Sequence, residues 1–157
     1  MYQGLHVEGG TFVAIKQVRL ASLPEDTDYQ DIQNEIELLQ GLSHPNVVRY
    51  ITCKEVSGYL MTVMEYVENG SLLTILNKFG KLPEPLVAMY LSQVMEGLNY
   101  LHSEGVTHRG IKAAKLLVTK DGRIKIADSG VASRVNSSEV TESPYWSKIK
   151  IKNHTKK

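Results

Sequence analysis

The apolar pattern of this chain switches between strand-like runs and helical spacing in a set order, and that order narrows the folds open to it. Thr11–Val18 is rich in β-branched residues and follows the turn Val7-Glu8-Gly9-Gly10, which predicts a hairpin over residues 1–18. After a polar loop at Pro24–Asp28, Thr27 and Gln30 form a capping-box pattern. Tyr29, Ile32, Ile36 and Leu39 then recur at helical spacing, predicting an amphipathic helix that ends near Gly41. His44-Pro45-Asn46 reads as a turn, and strand-like runs follow at Val47–Cys53 and Tyr59–Glu65. Asn69-Gly70-Ser71 breaks the pattern before a short helix at Leu72–Asn77. A long helix is predicted from Pro83 to His102, with Val87, Tyr90, Leu91, Val94, Leu98 and Leu101 as its buried stripe. Short apolar runs at Lys115–Thr119 and Arg123–Ala127 flank the turn Lys120-Asp121-Gly122, and Asp128-Ser129-Gly130 opens a polar loop that runs through Ser143. Strands, a helix, more strands, then helices with a small hairpin describe an α+β fold with two unequal halves joined near Tyr66–Gly70.

Composition adds bounds. The chain has 157 residues, 42% hydrophobic and 22% charged, which fits a soluble globular domain and argues against a fibre or a disordered chain. No apolar run approaches the roughly 20 residues a membrane span needs, and Met1–His6 lacks the basic and apolar regions of a signal peptide. The lone Cys53 forms no disulfide within the chain, which favours a reducing, cytoplasmic setting; by itself it reads as a small buried apolar residue. Lys148, Lys150, Lys152, Lys156 and Lys157 crowd the last residues with no acid among them. Such a tail can meet an anionic surface, but it reads more simply as a solvated end, and no nucleic-acid partner is expected.

The residues that bear on chemistry lie in sequence. Val13-Ala14-Ile15-Lys16 is a strand ending in a lysine, and Glu35 lies midway along the following helix. Each alone is weak, because a lysine at a strand end and a glutamate on a helix are ordinarily just solvated. Met64-Glu65-Tyr66-Val67-Glu68-Asn69-Gly70-Ser71, His108-Arg109-Gly110-Ile111-Lys112-Ala113-Ala114-Lys115-Leu116-Leu117, Asp128-Ser129-Gly130 and Ser143-Pro144-Tyr145-Trp146 then follow. In that order they resemble the hinge, catalytic loop, magnesium-binding motif and activation-segment end of protein kinases. The chain resembles the serine/threonine protein kinases from residue 1 to about 146. More narrowly it is similar to the mitogen-activated kinase kinase kinase group, and within it to the septation or cytokinesis kinases of fungi and their plant relatives. Glu65–Leu72, Asn77-Lys78-Phe79-Gly80 and Val131-Ala132-Ser133-Arg134 carry that narrower likeness.

The resemblance implies a two-lobe kinase-like fold, incomplete at both ends: a partial N-lobe at 1–66, a partial C-lobe through the activation segment at 67–146, and a basic tail at 147–157. It implies ATP and magnesium as cofactors and a protein as substrate or partner. By position, Lys16 would contact phosphates and pair with Glu35, and Met64 would be the gatekeeper. Backbone groups of Glu65 and Val67 would bind adenine, with Ala14 and Leu117 on either side of the ring and Ser71 near the ribose. Lys112 would meet the terminal phosphate, and Asp128 would hold magnesium. Arg109 matches the arginine that can grip a phosphate on the activation segment, where Ser137, Ser138, Thr141 and Ser143 are the candidate acceptors.

The departures matter as much. Gly110 stands where the family has its catalytic Asp, and glycine cannot accept a proton from a substrate hydroxyl. Lys115 stands where the family has a metal-binding Asn; an ammonium has only donors and cannot ligate a cation. It can instead pair with Asp128 or a phosphate. Ser129 replaces a packing Phe, a loss of about 3–5 kcal/mol if the site stays empty. The family's glycine-rich loop would precede the position of Met1, and after Trp146 the sequence leaves the family pattern. The expectation is therefore an ATP-dependent Ser/Thr kinase domain by descent, inactive or strongly impaired as it stands. The alternatives are a non-catalytic module that binds a partner protein and, less favoured, an active kinase in cytokinesis-type signalling.

Overall fold

The computed structural model describes residues 1–22, 29–127 and 133–134. The expected loop at Pro24–Asp28 and its Thr27 cap, Asp128-Ser129-Gly130, most of the polar loop to Ser143, the Ser143–Trp146 segment and the basic tail all lie outside the described residues. The chain divides into two units, each described by itself.

The first unit, residues 1–41 and 49–66, is a four-stranded antiparallel sheet with one helix. β1 (Tyr2–His6) and β2 (Thr11–Arg19) form the expected hairpin, in register from Tyr2↔Ile15 to His6↔Thr11. The Gly10 N–H closes its turn on the His6 carbonyl at 2.7 Å. α1 spans Tyr29–Gly41, β3 Tyr50–Val56 and β4 Tyr59–Glu65, and the strand order is β1-β2-β4-β3. Ser57 (φ 51°) and Gly58 (φ 76°) join β3 to β4. Two left-handed residues make the tight turn whose twist matches that of its strands. Val18 and Leu60 form one buried apolar cluster, against which Leu20, Ile36 and Cys53 pack. Cys53 is half-buried, with its Sγ 3.4 Å from Thr62 Oγ1, and burial pushes its thiol pKa up.

The second unit, among the described residues, holds 42–48, 67–127 and 133–134. α2 (Leu72–Phe79) starts at Ser71, whose Oγ accepts from the Thr74 N–H at 3.2 Å, and stops at Gly80 in the left-handed region (φ 77°). It runs past the expected Asn77 to Phe79, where Gly80 ends it and its N–H donates to the Leu76 carbonyl. α3 (Glu84–Ser103) follows Pro83. β5 (Val106–Thr107) pairs with β8 (Ser133–Arg134), and β6 (Leu116–Val118) pairs with β7 (Ile124–Ile126). The strand run expected from Lys115 begins one residue later, because Ala113–Lys115 is a 3-10 turn. Within the β6–β7 turn the Thr119 hydroxyl donates to Asp121 Oδ1 at 2.6 Å, holding that carboxyl below its usual pKa.

Two expectations are corrected here. The strand expected over Val47–Cys53 is divided: β3 starts at Tyr50, while Val47 bridges Ile126 in parallel and the Val48 N–H donates to the Ile126 carbonyl at 2.9 Å. A β-rich run cannot show which neighbour it will pair with. The stripe expected on α3 is also only partly buried. Val94, Gly97 and Leu101 form the buried seam, while Val87 and Leu91 are exposed. The seam is where α3 meets β7, and Gly97 is what permits the approach. A Cβ there would lie 2.9 Å from the Asn46 carbonyl oxygen and 2.9 Å from Ile126 Cδ1.

Asn46, only 3% exposed, completes this junction. Its Nδ2 donates to the Ile124 carbonyl at 2.9 Å and to Gln93 Oε1 at 3.2 Å, and its own carbonyl accepts from the Ile126 N–H at 2.8 Å. Gln93 Oε1 also accepts from the Ile124 N–H at 2.8 Å. Gly97→Ala is expected to destabilise the chain. Overpacking costs about 1–3 kcal/mol and outweighs the gain of about 1 kcal/mol in helix propensity, because the clashing carbonyl is pinned by Ile126. Urea unfolding should show a lower midpoint with unchanged slope, whereas Met95→Ala on the exposed face should stay within about 0.5 kcal/mol of the parent.

Candidate functional site

In the first unit, β2 and β4 carry the sequence-selected residues as cross-strand pairs. Ala14 faces Met64, Lys16 faces Thr62 and Val18 faces Leu60. Alternation along the strands puts Ala14, Lys16 and Val18 on one face, the face where Ile36 of α1 packs on Val18 and Leu60. Glu35 immediately precedes Ile36 on α1; its side chain lies outside the described residues. Met64 is buried at 4% exposure. The Glu65 N–H donates to the Arg49 carbonyl at 3.0 Å and its Oε1 accepts from the Arg49 N–H at 2.8 Å.

In the second unit, residues 67–71 lie along β6. The Asn69 N–H donates to the Val118 carbonyl at 3.1 Å, the Val118 N–H donates to the Gly70 carbonyl at 2.9 Å, and Ser71 bridges Leu117. Val67 is buried, and its carbonyl accepts from the Gly70 N–H at 3.4 Å. The Ser71 hydroxyl is engaged as the α2 cap and with Thr74 Oγ1 at 2.9 Å. Leu117 alternates with the buried Leu116 and Val118, so it points away from their core.

The loop from His108 to Lys115 is held at both ends by one backbone residue. Buried His108 accepts the Gly110 N–H on Nδ1 at 3.3 Å, which places its proton on Nε2, and that nitrogen donates to the Ala127 carbonyl at 3.1 Å. The Ala127 N–H in turn donates to the Lys115 carbonyl at 2.8 Å, and the Lys115 N–H to the Lys112 carbonyl at 2.8 Å. His108 was not singled out from sequence. Its position two residues before Gly110 is the signal that it serves the loop backbone. With both ring nitrogens engaged, it positions the loop and is not a free base. Arg109, exposed, sits in the left-handed region at φ 54°, a conformation that costs a non-glycine residue about 1 kcal/mol or more.

Gly110 keeps an ordinary backbone conformation, so it is not there for a positive φ. A Cβ at Gly110 would have a single close neighbour, Lys115 Nζ, at 3.5 Å. The lysine side chain thus folds back across the loop to flank the missing side chain. Lys112 is exposed. From Val106 to Lys120 the charges are Arg109, Lys112, Lys115 and Lys120, with no Asp or Glu. Among the described residues no cluster of His, Cys, Asp or Glu is suited to a metal ion, and no helix is long and apolar enough to cross a membrane. Asp128, the magnesium candidate, lies outside the described residues. What the described loop offers is donors and positive charge, with no base and no cation ligand.

Known proteins resemble this chain closely. The family model for the protein kinase domain matches residues 1–148. MAP3K epsilon protein kinase 1 of Arabidopsis thaliana is 48% identical over 153 residues, covering 93% of this chain and 11% of that protein. Cell division control protein 7 of Schizosaccharomyces pombe is 48% identical over 149 residues, covering 93% of this chain and 14% of that protein. Cytokinesis protein sepH of Emericella nidulans is 47% identical over 149 residues, with 93% and 11% covered. The chain spans a small fraction of the length of these relatives. The α+β elements, the loop built around His108 and a match over nearly the whole chain agree, and the chain belongs to the protein kinase domain family.

Proposed function

We propose that this chain is a serine/threonine-kinase-type domain that does not transfer phosphate and keeps part of a nucleotide site. The observation that carries this is the Gly110–Lys115 pair, in which an ammonium flanks the position of the absent acid. Protein kinases work with ATP and magnesium, the metal supplying charge neutralisation at the phosphates. By family position, Ala14, Met64 and Leu117 are proposed for the adenine side, backbone groups of Glu65 and Val67 for the ring's hydrogen bonds, and Lys16 for phosphate. Glu35 is proposed as the partner of Lys16, and Ser71 as a neighbour of the ribose. The described loop does not fit the metal, because Lys115 replaces a ligand with a donor. Lys112 is proposed to approach the terminal phosphate, and Asp128 is proposed as the metal ligand. Residues 1–66, 67–146 and 147–157 are proposed as N-lobe-type, C-lobe-type and tail segments, in a cytoplasmic protein.

A second reading, a non-catalytic module that binds a partner protein, is favoured by α3. Val87, Leu91 and Met95, four residues apart, are all exposed and share one face of the helix. Such a module would bind its partner whether or not nucleotide is present. Leu91→Ser should weaken that binding about tenfold or more, measured by sedimentation with a protein partner, and leave nucleotide binding alone. Unchanged partner affinity in this variant would remove the apolar face from the argument.

Two further outcomes test the first reading. No phosphate transfer to a general Ser/Thr substrate is expected above background, since a positioned base contributes about 10²- to 10⁴-fold; turnover that Lys16→Met abolishes would overturn this. Gly110→Asp alone should not restore activity, because the new carboxylate would stand beside the Lys115 ammonium and pair with it. Calorimetric titration of ATP should give affinities with and without magnesium that differ by less than about tenfold, or about 1.4 kcal/mol. A larger gain with magnesium would show that Asp128 still holds a metal.

A further inference from the structure

We propose that the exposed end of α2, Lys78-Phe79-Gly80-Lys81, is a contact site for an anionic membrane surface. The Phe79 ring enters the interface, and the two ammonium groups meet acidic lipid headgroups. The proposal stands apart from the kinase-type reading, because it uses no residue placed in the nucleotide site or the catalytic loop.

α2 carries Leu72, Leu73, Ile75, Leu76 and Phe79 within eight residues, yet none of its residues is buried. It rests on Ala113–Lys115 and on β6. Leu72, Ile75, Leu76 and Phe79 share one face of the helix by their spacing. The first three are half-buried. Phe79, at the end of that stripe, is 68% exposed and is the most exposed aromatic ring among the described residues. A single exposed apolar residue is ordinary on a protein surface, so the argument depends on how this one is held and on what stands beside it.

The ring is presented by fixed backbone. Ser71 caps the first turn of α2, and the Gly80 N–H closes the last turn on the Leu76 carbonyl at 2.9 Å. Gly80 then turns the chain in the left-handed region, and α3 begins at Glu84. Phe79 therefore stands at the turn between two helices, and little ordering is needed for it to make a contact.

The surroundings are cationic. The Lys78 ammonium lies 5.2 Å from the centre of the Phe79 ring, and Lys81 is exposed two residues further on. From Ser71 to Pro83 there is no Asp or Glu. The acids on either side are Glu68, whose Oε2 accepts the Lys120 N–H at 3.4 Å, and Glu84, the first residue of α3. A lysine can lay its stem along apolar matter while its ammonium stays in water. An aromatic ring is suited to the boundary between headgroups and acyl chains. A ring and two cations within four residues thus match a layer that is apolar inside and acidic at its surface. An acidic protein would also answer the lysines, but it would need a pocket shaped for the ring. A fluid layer closes around the ring unaided.

The test is sedimentation of the full chain with phosphatidylcholine vesicles, with and without phosphatidylserine. Weak binding that saturates with lipid, falls with salt and is absent on phosphatidylcholine alone is expected. Phe79→Ala should weaken it about tenfold or more. Lys78→Gln with Lys81→Gln should weaken it about twentyfold, since each lysine near such a surface contributes about fivefold. These side chains are exposed, so the variants keep the fold. Lys148, Lys150, Lys152, Lys156 and Lys157 would be drawn to the same vesicles, so a local probe decides. In a chain carrying Trp146→Phe, the indole of Phe79→Trp should shift to the blue with phosphatidylserine vesicles and be quenched by brominated lipid. An indole that stays in water while the chain sediments with vesicles would overturn the proposal and assign the binding to the basic tail. Unchanged affinity in both Phe79→Ala and the double lysine variant would do the same. Failure to bind either vesicle would overturn it outright, and binding to polyglutamate without binding to vesicles would replace the membrane with an acidic protein partner.

Discussion

The buried amide of Asn46 is the constraint on which the second unit depends. An amide placed out of water must satisfy its donors, since an unpaired one costs about 1–3 kcal/mol. Asn46 does so by bonding the Ile124 carbonyl and Gln93 Oε1, and its own carbonyl takes the Ile126 N–H. Three elements that are far apart in sequence — the segment before β3, the middle of α3 and strand β7 — are thereby held at one point. Gly97 makes the approach possible, because the Asn46 carbonyl occupies the space a side chain would need.

The effect reaches the loop that concerns function. β7 ends at Ile126, and the next residue, Ala127, anchors both His108 and Lys115 through its carbonyl and its N–H. Fixing β7 therefore fixes the loop. His108 is buried between these contacts with its tautomer set by them, so its role is to hold Gly110 and Ala127 together. The conformation around Gly110 is thus supported by groups that do not depend on what stands at position 110, which is why the loop geometry persists where the acid does not.

What changes with Gly110 and Lys115 is charge. A loop with an acid and an amide can accept a proton and ligate a cation; one with a glycine and a lysine can do neither. The magnitude depends on exposure. In bulk water two unit charges about 4 Å apart interact by only about 1 kcal/mol, and partial desolvation raises this several-fold. Lys115 is partly buried whereas Lys112 is exposed, so a charge interaction made by Lys115 is screened less than one made by Lys112.

Much of the element order was legible from sequence. The β-rich run from Thr11 to Val18, the helical spacing from Tyr29 to Gly41, Tyr59–Glu65, and the break at Ser71 all describe properties of neighbouring residues, and neighbouring residues decide local conformation; that the strand would continue past Lys16 to Arg19 was not among them. The order of the motifs around Lys16, Glu65 and His108 was enough for the family, because chance does not reproduce several short patterns in one sequence. Partner choice was not legible. That Val47 and Val48 would join β7, that α3 would bury Val94, Gly97 and Leu101 while leaving Leu91 exposed, and that Lys115 would fold over Gly110 were all decided by tertiary structure. Apolar period states that a face is to be covered and is silent on what covers it. The residues that do the covering come from distant parts of the chain, and their fit is settled only when backbone and side chains meet.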